Sequence, residues 1–412
     1  MVNHRPVLDA LREPRYRGLW LAGLFANAAR WMDLLVLGWV ALELSNSPLM
    51  VGVAAFCRSV PMMLLGPLAG VLADRFPRGR VMLAVQATNV AVSATLALLF
   101  GTGHGGLGAL LALEVLLGAA WAVDFPARRT SLLTLVGPGR LTNAMSLESV
   151  SMQGSKMLGP LAGGILLARF GPAGCYLALV LLHLGALALV RRLDRRVALP
   201  GTGAAGPVVA SLVDGLREVW ARPVIRAVLA ITVLMNALVF PYQPMLPVFA
   251  RDVLRVGPER LGLLVAAGGL GALAGALAVA ARRDLTGHGQ VFAVGSLLAA
   301  TLVIAFAATP WYLAALPLLF LAGVAESGFG TMQSAIILLA APERTRGRAM
   351  GILSACIGAQ PLGTLWIGFA TSRVGAPWAT AAGAALALAL MIPVASRMAA
   401  LAVRPLDPTR ER

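Results

Sequence analysis

Seven charged side chains stand inside long apolar runs: Arg30, Asp33, Arg58, Glu114, Glu148, Lys156 and Glu326. A charge at the centre of a bilayer costs at least about 2.5–3.5 kcal/mol, so each one marks a paired or working group. The chemistry open to such a set is the holding and release of protons and the binding of charged solutes. Arg30 and Asp33 are three residues apart, on neighbouring positions of one helical face. Lys156 is the only lysine among 34 basic residues, and a buried ammonium, unlike a guanidinium, can give up its proton. Paired with Glu114 or Asp33, it would exchange partners with a proton or a charged substrate. A static ion pair that steadies the first half is the other reading. Asp33 is the first choice as proton carrier, released from Arg30 as the helices rearrange, and Glu326 is second. Glu326, the mid-span acid of the second half, has contact with a cationic substrate as its alternative role.

These residues need a membrane around them, and the composition supplies one. The 412 residues are 58% hydrophobic and 13% charged, against about 45–50% and 25% for a soluble domain. With roughly 20 apolar residues per crossing, twelve spans are expected: 18–43, 48–73, 79–101, 106–126, 143–168, 173–193, 224–249, 260–281, 291–309, 313–339, 350–372 and 377–400. The first is too long for a signal-peptide core and is expected to remain. Residues 194–223, rich in Pro and Gly, read as a cytoplasmic linker between six-helix halves 1–193 and 224–412. The fold class is therefore all-α membrane protein, twelve helices in two six-helix bundles.

The charge of +16 is topology rather than a nucleic-acid footprint. With the N-terminus inside, 26 arginines fall on the cytoplasmic side and 5 on the other, as the positive-inside rule requires. Both termini then face the cytoplasm. Gly66-Pro-Leu-Ala-Gly-Val-Leu-Ala73 is echoed by Gly271-Ala-Leu-Ala-Gly-Ala-Leu-Ala278, and Ala144-Met145 by Ala349-Met350. The equal offset argues for duplicated halves, an arrangement suited to rocking about a midplane site. Span seven breaks at Pro241-Tyr242-Gln243-Pro244, with Asn236 one turn earlier. Interrupted helices turn polar groups towards a cavity, which makes Asn236, Tyr242 and Gln243 substrate-contact candidates. A plain kink at the outer mouth is the alternative. Gln360 adds polar lining, and Arg30 and Arg58 are candidates for an anionic group. Cys57, Cys175 and Cys356 share no metal spacing, His183 stands alone, and neither a metal nor a cofactor is implied.

Gly70-Val-Leu-Ala-Asp74-Arg75-Phe-Pro-Arg78-Gly-Arg80 joins spans two and three. It resembles the signature loop of the major facilitator superfamily, G-x-L-A-D-R-x-G-R. The resemblance implies that Gly70, Asp74, Arg75, Arg78 and Arg80 form a gating latch joined by Asp124 at the inner end of span four; a structural ion pair is the alternative. In the second half Val279 replaces the aspartate, so a latch there is degraded. Gly159-Pro160-Leu-Ala-Gly163-Gly164 in span five looks like the G-P-x-x-G-G motif of the superfamily's drug:proton antiporters, a kinked helix whose small residues admit a close neighbour. The arginine-rich segments around Pro126–Met145 and Pro342–Met350, with Pro361-Leu-Gly363, are similar to the subgroup of enterobactin-type siderophore exporters and macrolide-efflux proteins.

The function expected from these signals is secondary active export of small amphiphilic molecules, drug- or siderophore-like, by alternating access with proton antiport. The alternative is an importer or facilitator of an organic anion, motivated by Arg30, Arg58 and Lys156 in one half. No Ser/His/Asp set, HExxH or phosphate loop is present, so an enzyme or a self-contained ATP pump is disfavoured. The expected partners are a small molecule, protons and the lipid bilayer, with a monomer sufficing. Arginine-rich, Ala/Gly-rich composition points to the inner membrane of a bacterium.

Overall fold

The structure, a computed structural model, describes residues 9–75, 77–137, 140–194, 222–281, 287–341 and 346–400. After a short 3-10 turn at Asp9–Arg12 come α1 (Pro14–Ser45), α2 (Pro48–Arg75), α3 (Arg78–Gly101), α4 (Leu107–Val136) and α5 (Leu141–Asp194). Next is α6 (Pro223–Leu234), which runs through a π turn at Met235–Val239 into α7 (Tyr242–Val248) and a second π turn at Phe249–Val253. The remainder is α8 (Pro258–Ala281), α9 (His288–Ala308), α10 (Tyr312–Ala340), α11 (Arg346–Ile357), α12 (Gln360–Val374) and α13 (Ala376–Ala400). Among the described residues, 11 stretches are long and apolar enough to cross a membrane.

Twelve spans were expected, and the difference lies in α5. Expected spans 143–168 and 173–193 fall inside one helical stretch of 54 residues, broken at Gly171 (φ 64, ψ -172). At 1.5 Å per residue that stretch is about 80 Å long, more than twice a bilayer core. A left-handed φ is what glycine supplies and a side chain resists. Pro172 follows immediately, where its lack of an N–H does no harm at the start of the second segment. Helix α4 departs the other way. It was expected to end at Pro126 but continues to Val136, carrying that proline inside it, as membrane helices tolerate.

The chain forms two compact units. Unit 1 comprises residues 1–205 with 256–266, and unit 2 comprises 206–255 with 267–412. The expected linker, 194–223, falls almost wholly outside the described residues. In unit 1, α1 packs along α5, α3 against α5, and α2 against α4. The end of the unit that carries the N-terminal turn is closed by Tyr16, Leu19, Met82, Leu132, Ala144 and Val190. The N-terminal turn is strapped to the start of α5: Arg140 meets Asp9 at 3.0 Å, Tyr16 OH donates to the Ala144 carbonyl at 2.9 Å, and Trp20 Nε1 donates to Leu147 at 3.0 Å. In unit 2, α9 packs between α10 and α13, and α12 against α13.

Large apolar side chains line the outside of both units. Leu98, Leu181, Val294 and Leu321 are exposed, and Leu313 and Trp378 reach 78% and 74%. A surface of this kind is at odds with water and suited to lipid. Polar groups are drawn inward instead.

Candidate functional site

Unit 1 gathers the first-half charges around Arg58. Its Nε lies 3.3 Å from Asp33 Oδ2 on α1 and 3.2 Å from Glu114 Oε2 on α4. All three are deeply buried, Glu114 completely. The meeting depends on Gly118, one turn beyond Glu114. A Cβ there would collide with the Arg58 carbonyl and stand 3.0 Å from Pro61 Cγ, so glycine lets α4 lie against α2 at this level.

The expected Arg30–Asp33 pair is corrected. Asp33 is held by Arg58, while Arg30 turns to α4 and stacks on Trp121, its guanidinium carbon 3.6 Å from the ring centroid. The geometry explains the choice. Trp121 lies two turns past Glu114 on the same face of α4, and a guanidinium plane stacks well on indole. Lys156 Nζ lies 5.5 Å from the centroid of the Trp31 ring; the ion-pair partner shown for Asp33 and Glu114 is Arg58 rather than the lysine.

Asp124 pairs within its own helix: it accepts from Arg128 Nε at 3.1 Å and Nη2 at 3.0 Å. Because α4 continues through Pro126, Arg128 becomes its i+4 neighbour rather than a loop residue. Arg78 donates to Thr134 Oγ1 at 3.4 Å, and Arg80 is exposed. The side chains of Gly70, Asp74 and Arg75 lie outside the described residues.

The Gly-Pro motif packs by backbone. A Cβ at Gly159 would stand 2.8 Å from the Ala28 carbonyl, one at Gly163 would stand 3.0 Å from Met32 Cγ, and one at Gly164 would strike the Pro258 carbonyl. In return, a Cβ on Gly262 would lie 2.7 Å from the Pro160 carbonyl. Two of the motif's glycines thus face α1, and the third faces the start of α8.

Unit 2 builds its polar centre differently. Glu326 on α10 accepts from Tyr242 OH at 3.0 Å and from Gln243 Nε2 at 3.3 and 3.4 Å. Phenylalanine rings stand nearby, with Phe306 6.1 Å from the Tyr242 ring and Phe329 5.4 Å from Phe240. Tyr242 and Gln243 reach the acid because the helix carrying them is irregular. Pro241 has no N–H for the Ala237 carbonyl four residues back, and Trp366 Nε1 on α12 donates to that carbonyl at 2.6 Å. Asn236 is not part of this centre: its Nδ2 donates to the Thr232 carbonyl at 2.9 Å, while Gln333 Nε2 donates to Thr232 Oγ1 at 2.7 Å. Gln360 opens α12, half-buried, after the α11–α12 break.

Sequence reasoning passed over Trp121 and Trp366, and read His183 as standing alone. His183 is buried, with Nδ1 3.3 Å from Gln86 Oε1. A histidine within an apolar run was signal enough, and the seven-residue step from Glu114 to Trp121 was another. Trp366 was findable only by asking what replaces the donor that Pro241 lacks. Among the described residues, no group of three or more His, Cys, Asp or Glu is arranged to hold a metal ion.

Comparison with known proteins fits this architecture. Residues 6–410 match the family model described as transmembrane secretion effector. The multidrug efflux pump Tap of Mycolicibacterium fortuitum is 29% identical over 401 residues, covering 90% of this chain and 91% of that protein. The staphyloferrin A transporter of Staphylococcus aureus is 28% identical over 162 residues, 37% of this chain and 41% of its own length. Among solved structures, a bacterial homologue of the iron transporter ferroportin, in an inward-facing state, has TM-score 0.69 at 18% identity, covering 93% of this chain and 99% of that one. A POT family transporter has TM-score 0.75 at 11% identity, covering 93% and 96%. At these identities the structural likeness is one of fold alone.

Proposed function

This chain belongs to the transmembrane secretion effector family of the major facilitator superfamily, and from that premise we propose a secondary active exporter of small amphiphilic molecules, drug- or siderophore-like. Export proceeds by alternating access and is driven by proton antiport. The observation that carries the coupling is Arg58 standing between Asp33 and Glu114, deeply buried. Two acids that share one cation hold one proton readily and two charges poorly. Taking and losing that proton changes the charge at the heart of unit 1. Export over import is supported by the likeness to the multidrug efflux pump along nearly the whole chain.

In this reading Gly171 divides α5 into two crossings, giving twelve helices in two bundles, 1–193 and 224–412. The protein works as a monomer in the bacterial inner membrane with both termini inside. Asp33 and Glu114 carry the proton. Glu326, with Tyr242 and Gln243, meets the substrate, with Gln360 in the lining. The second reading, an organic-anion carrier, is favoured by Arg30, whose guanidinium stacks on Trp121 and has no carboxylate within ion-pair distance among the described residues. In that case Arg58→Gln would abolish inward accumulation of an anion.

The test is a susceptibility panel in an efflux-deficient bacterium, covering macrolides, tetracyclines, lipophilic cations and siderophore-like chelators. Wild type should protect against at least one class, and equally expressed Asp33→Asn should not. Protection surviving in Asp33→Asn would move the proton site away from span one, and no protection at all would favour the anion carrier.

A further inference from the structure

Inside unit 1 lies a cavity of about 20 Å³, walled by Arg30, Asp33, Gln86, Trp121, Asp124 and His183 among others. That is space for about one or two waters. Its walls carry an unusual set of unspent groups. Asp33 and Asp124 each give Oδ2 to an arginine, Arg58 and Arg128 respectively, and in each the other oxygen, Oδ1, is buried without a partner. Arg30 Nε and Gln86 Nε2, two donors, are likewise buried and unpartnered. Two acceptors and two donors around a water-sized space are what an ordered water needs.

The position of these groups along the chain gives the set a direction. Asp124 follows Glu114 by ten residues on α4, about 15 Å nearer the inner end at helical rise. Beyond Asp124 comes Arg128, and a Cβ on Gly23 would stand 3.2 Å from Arg128 Nη1 and 3.5 Å from Glu148 Oε1. Glu148, at the inner end of α5, is only half-buried. Carboxylates thus descend from Glu114 and Asp33 through Asp124 to Glu148, and Asp33 and Asp124 both border the cavity.

We infer that this cavity is a proton route internal to unit 1, in which water bridges Asp33 Oδ1 to Asp124 Oδ1 and the proton leaves past Glu148 on the inner side. The proton then travels by a path distinct from the one the substrate takes. The atoms balance: a proton leaves one carboxyl, passes along the bridging water by exchange of its hydrogen, and arrives on the next carboxylate. The charged and titratable groups facing the route are Tyr16, Arg30 and Asp33 on α1, Arg58 on α2, Glu114, Asp124, Arg128 and Arg129 on α4, and Glu148, Tyr176 and His183 on α5. Helix α3 adds only the neutral Gln86 and Asn89. The inference rests on the proton-coupled reading of Asp33 and Glu114.

The test needs no substrate. Purified protein in lipid vesicles is moved into D2O, and the infrared C=O band of a protonated carboxyl, identified by its loss in Asp33→Asn or Glu114→Gln, is followed as it exchanges. Ala26→Val places methyl groups in the cavity without altering a charge, and Asp124→Asn keeps the shape while removing the next carboxylate. Each should slow the exchange tenfold or more. Exchange at the wild-type rate in both would overturn the route, as would the absence of any such band in wild type between pH 5 and 8. Drug export is scored separately: an exporter with unaltered exchange refutes the route alone, and slowed exchange without export refutes the proposed function alone.

Discussion

The two units bury acids in opposite ways. Unit 1 balances Asp33 and Glu114 with a guanidinium on a neighbouring helix and holds a second guanidinium on an indole face. In unit 2 Glu326 accepts from two neutral donors, Tyr242 and Gln243, delivered by a helix that π turns and prolines have loosened. A buried ion-pair cluster loses its cation only by leaving bare charge behind. A carboxyl among neutral donors keeps most of its bonds when its own charge is removed. Under the proposed function the contrast becomes a division of labour, with proton exchange in the first unit and substrate recognition in the second.

The sharpest way to break this contrast is to remove one charge from each unit. Arg58→Gln leaves two buried acids uncompensated and should cost about 3–5 kcal/mol, read as a large fall in melting temperature in detergent. Adding Asp33→Asn should restore part of it. Glu326→Gln should melt within about 1 kcal/mol of wild type. Equal losses from Arg58→Gln and Glu326→Gln would erase the distinction.

A smaller effect is expected where α2 and α4 touch. Gly118→Ala pushes a methyl group into the Arg58 carbonyl and should cost about 1–3 kcal/mol, with the proton-driven rate falling more than substrate binding. In unit 2 the matching contact is Trp366 on Ala237. Trp366→Phe leaves that carbonyl without a donor and should cost about 1–2 kcal/mol. In a Pro241→Ala background, where residue 241 supplies its own N–H, the same change should cost clearly less. A double-mutant cycle by thermal melting measures the difference; additivity would mean that the indole N–H does not substitute for the missing donor. Smallest of all, Trp121→Leu removes the ring beneath Arg30, and about 0.5–2 kcal/mol of stability should go with it.

Much of this was legible in the chain. Apolar run length and arginine placement are one-dimensional signals, and the helices follow them wherever glycine and proline do not intervene. Gly171 and Pro126 show the limit. The break between the two halves of α5 is a single glycine at positive φ rather than a loop, and a membrane helix carries a proline that would end a soluble one. The buried charges could be named from sequence, but not their pairing. Arg30 and Asp33 are three apart on α1, yet Asp33 pairs with Arg58, which the close approach at Gly118 sets beside Glu114, and Arg30 stacks on Trp121. Tyr242 and Gln243 were read from the broken span, whereas Asn236, one turn earlier, folds back on its own helix. Which face a polar side chain shows after a π turn is a matter of three-dimensional register.

The central claim is that the Arg58-centred acids of unit 1 couple transport to protons while Glu326 does not. The direct measurement is uphill and downhill movement of a compound that wild type protects against, in everted vesicles with and without an imposed pH gradient. Asp33→Asn and Glu114→Gln should equilibrate the compound yet fail to concentrate it, while Glu326→Gln should alter the apparent KM and retain concentration. Gradient-driven accumulation by Asp33→Asn and Glu114→Gln at the wild-type level, with Glu326→Gln unable to accumulate, would contradict the account.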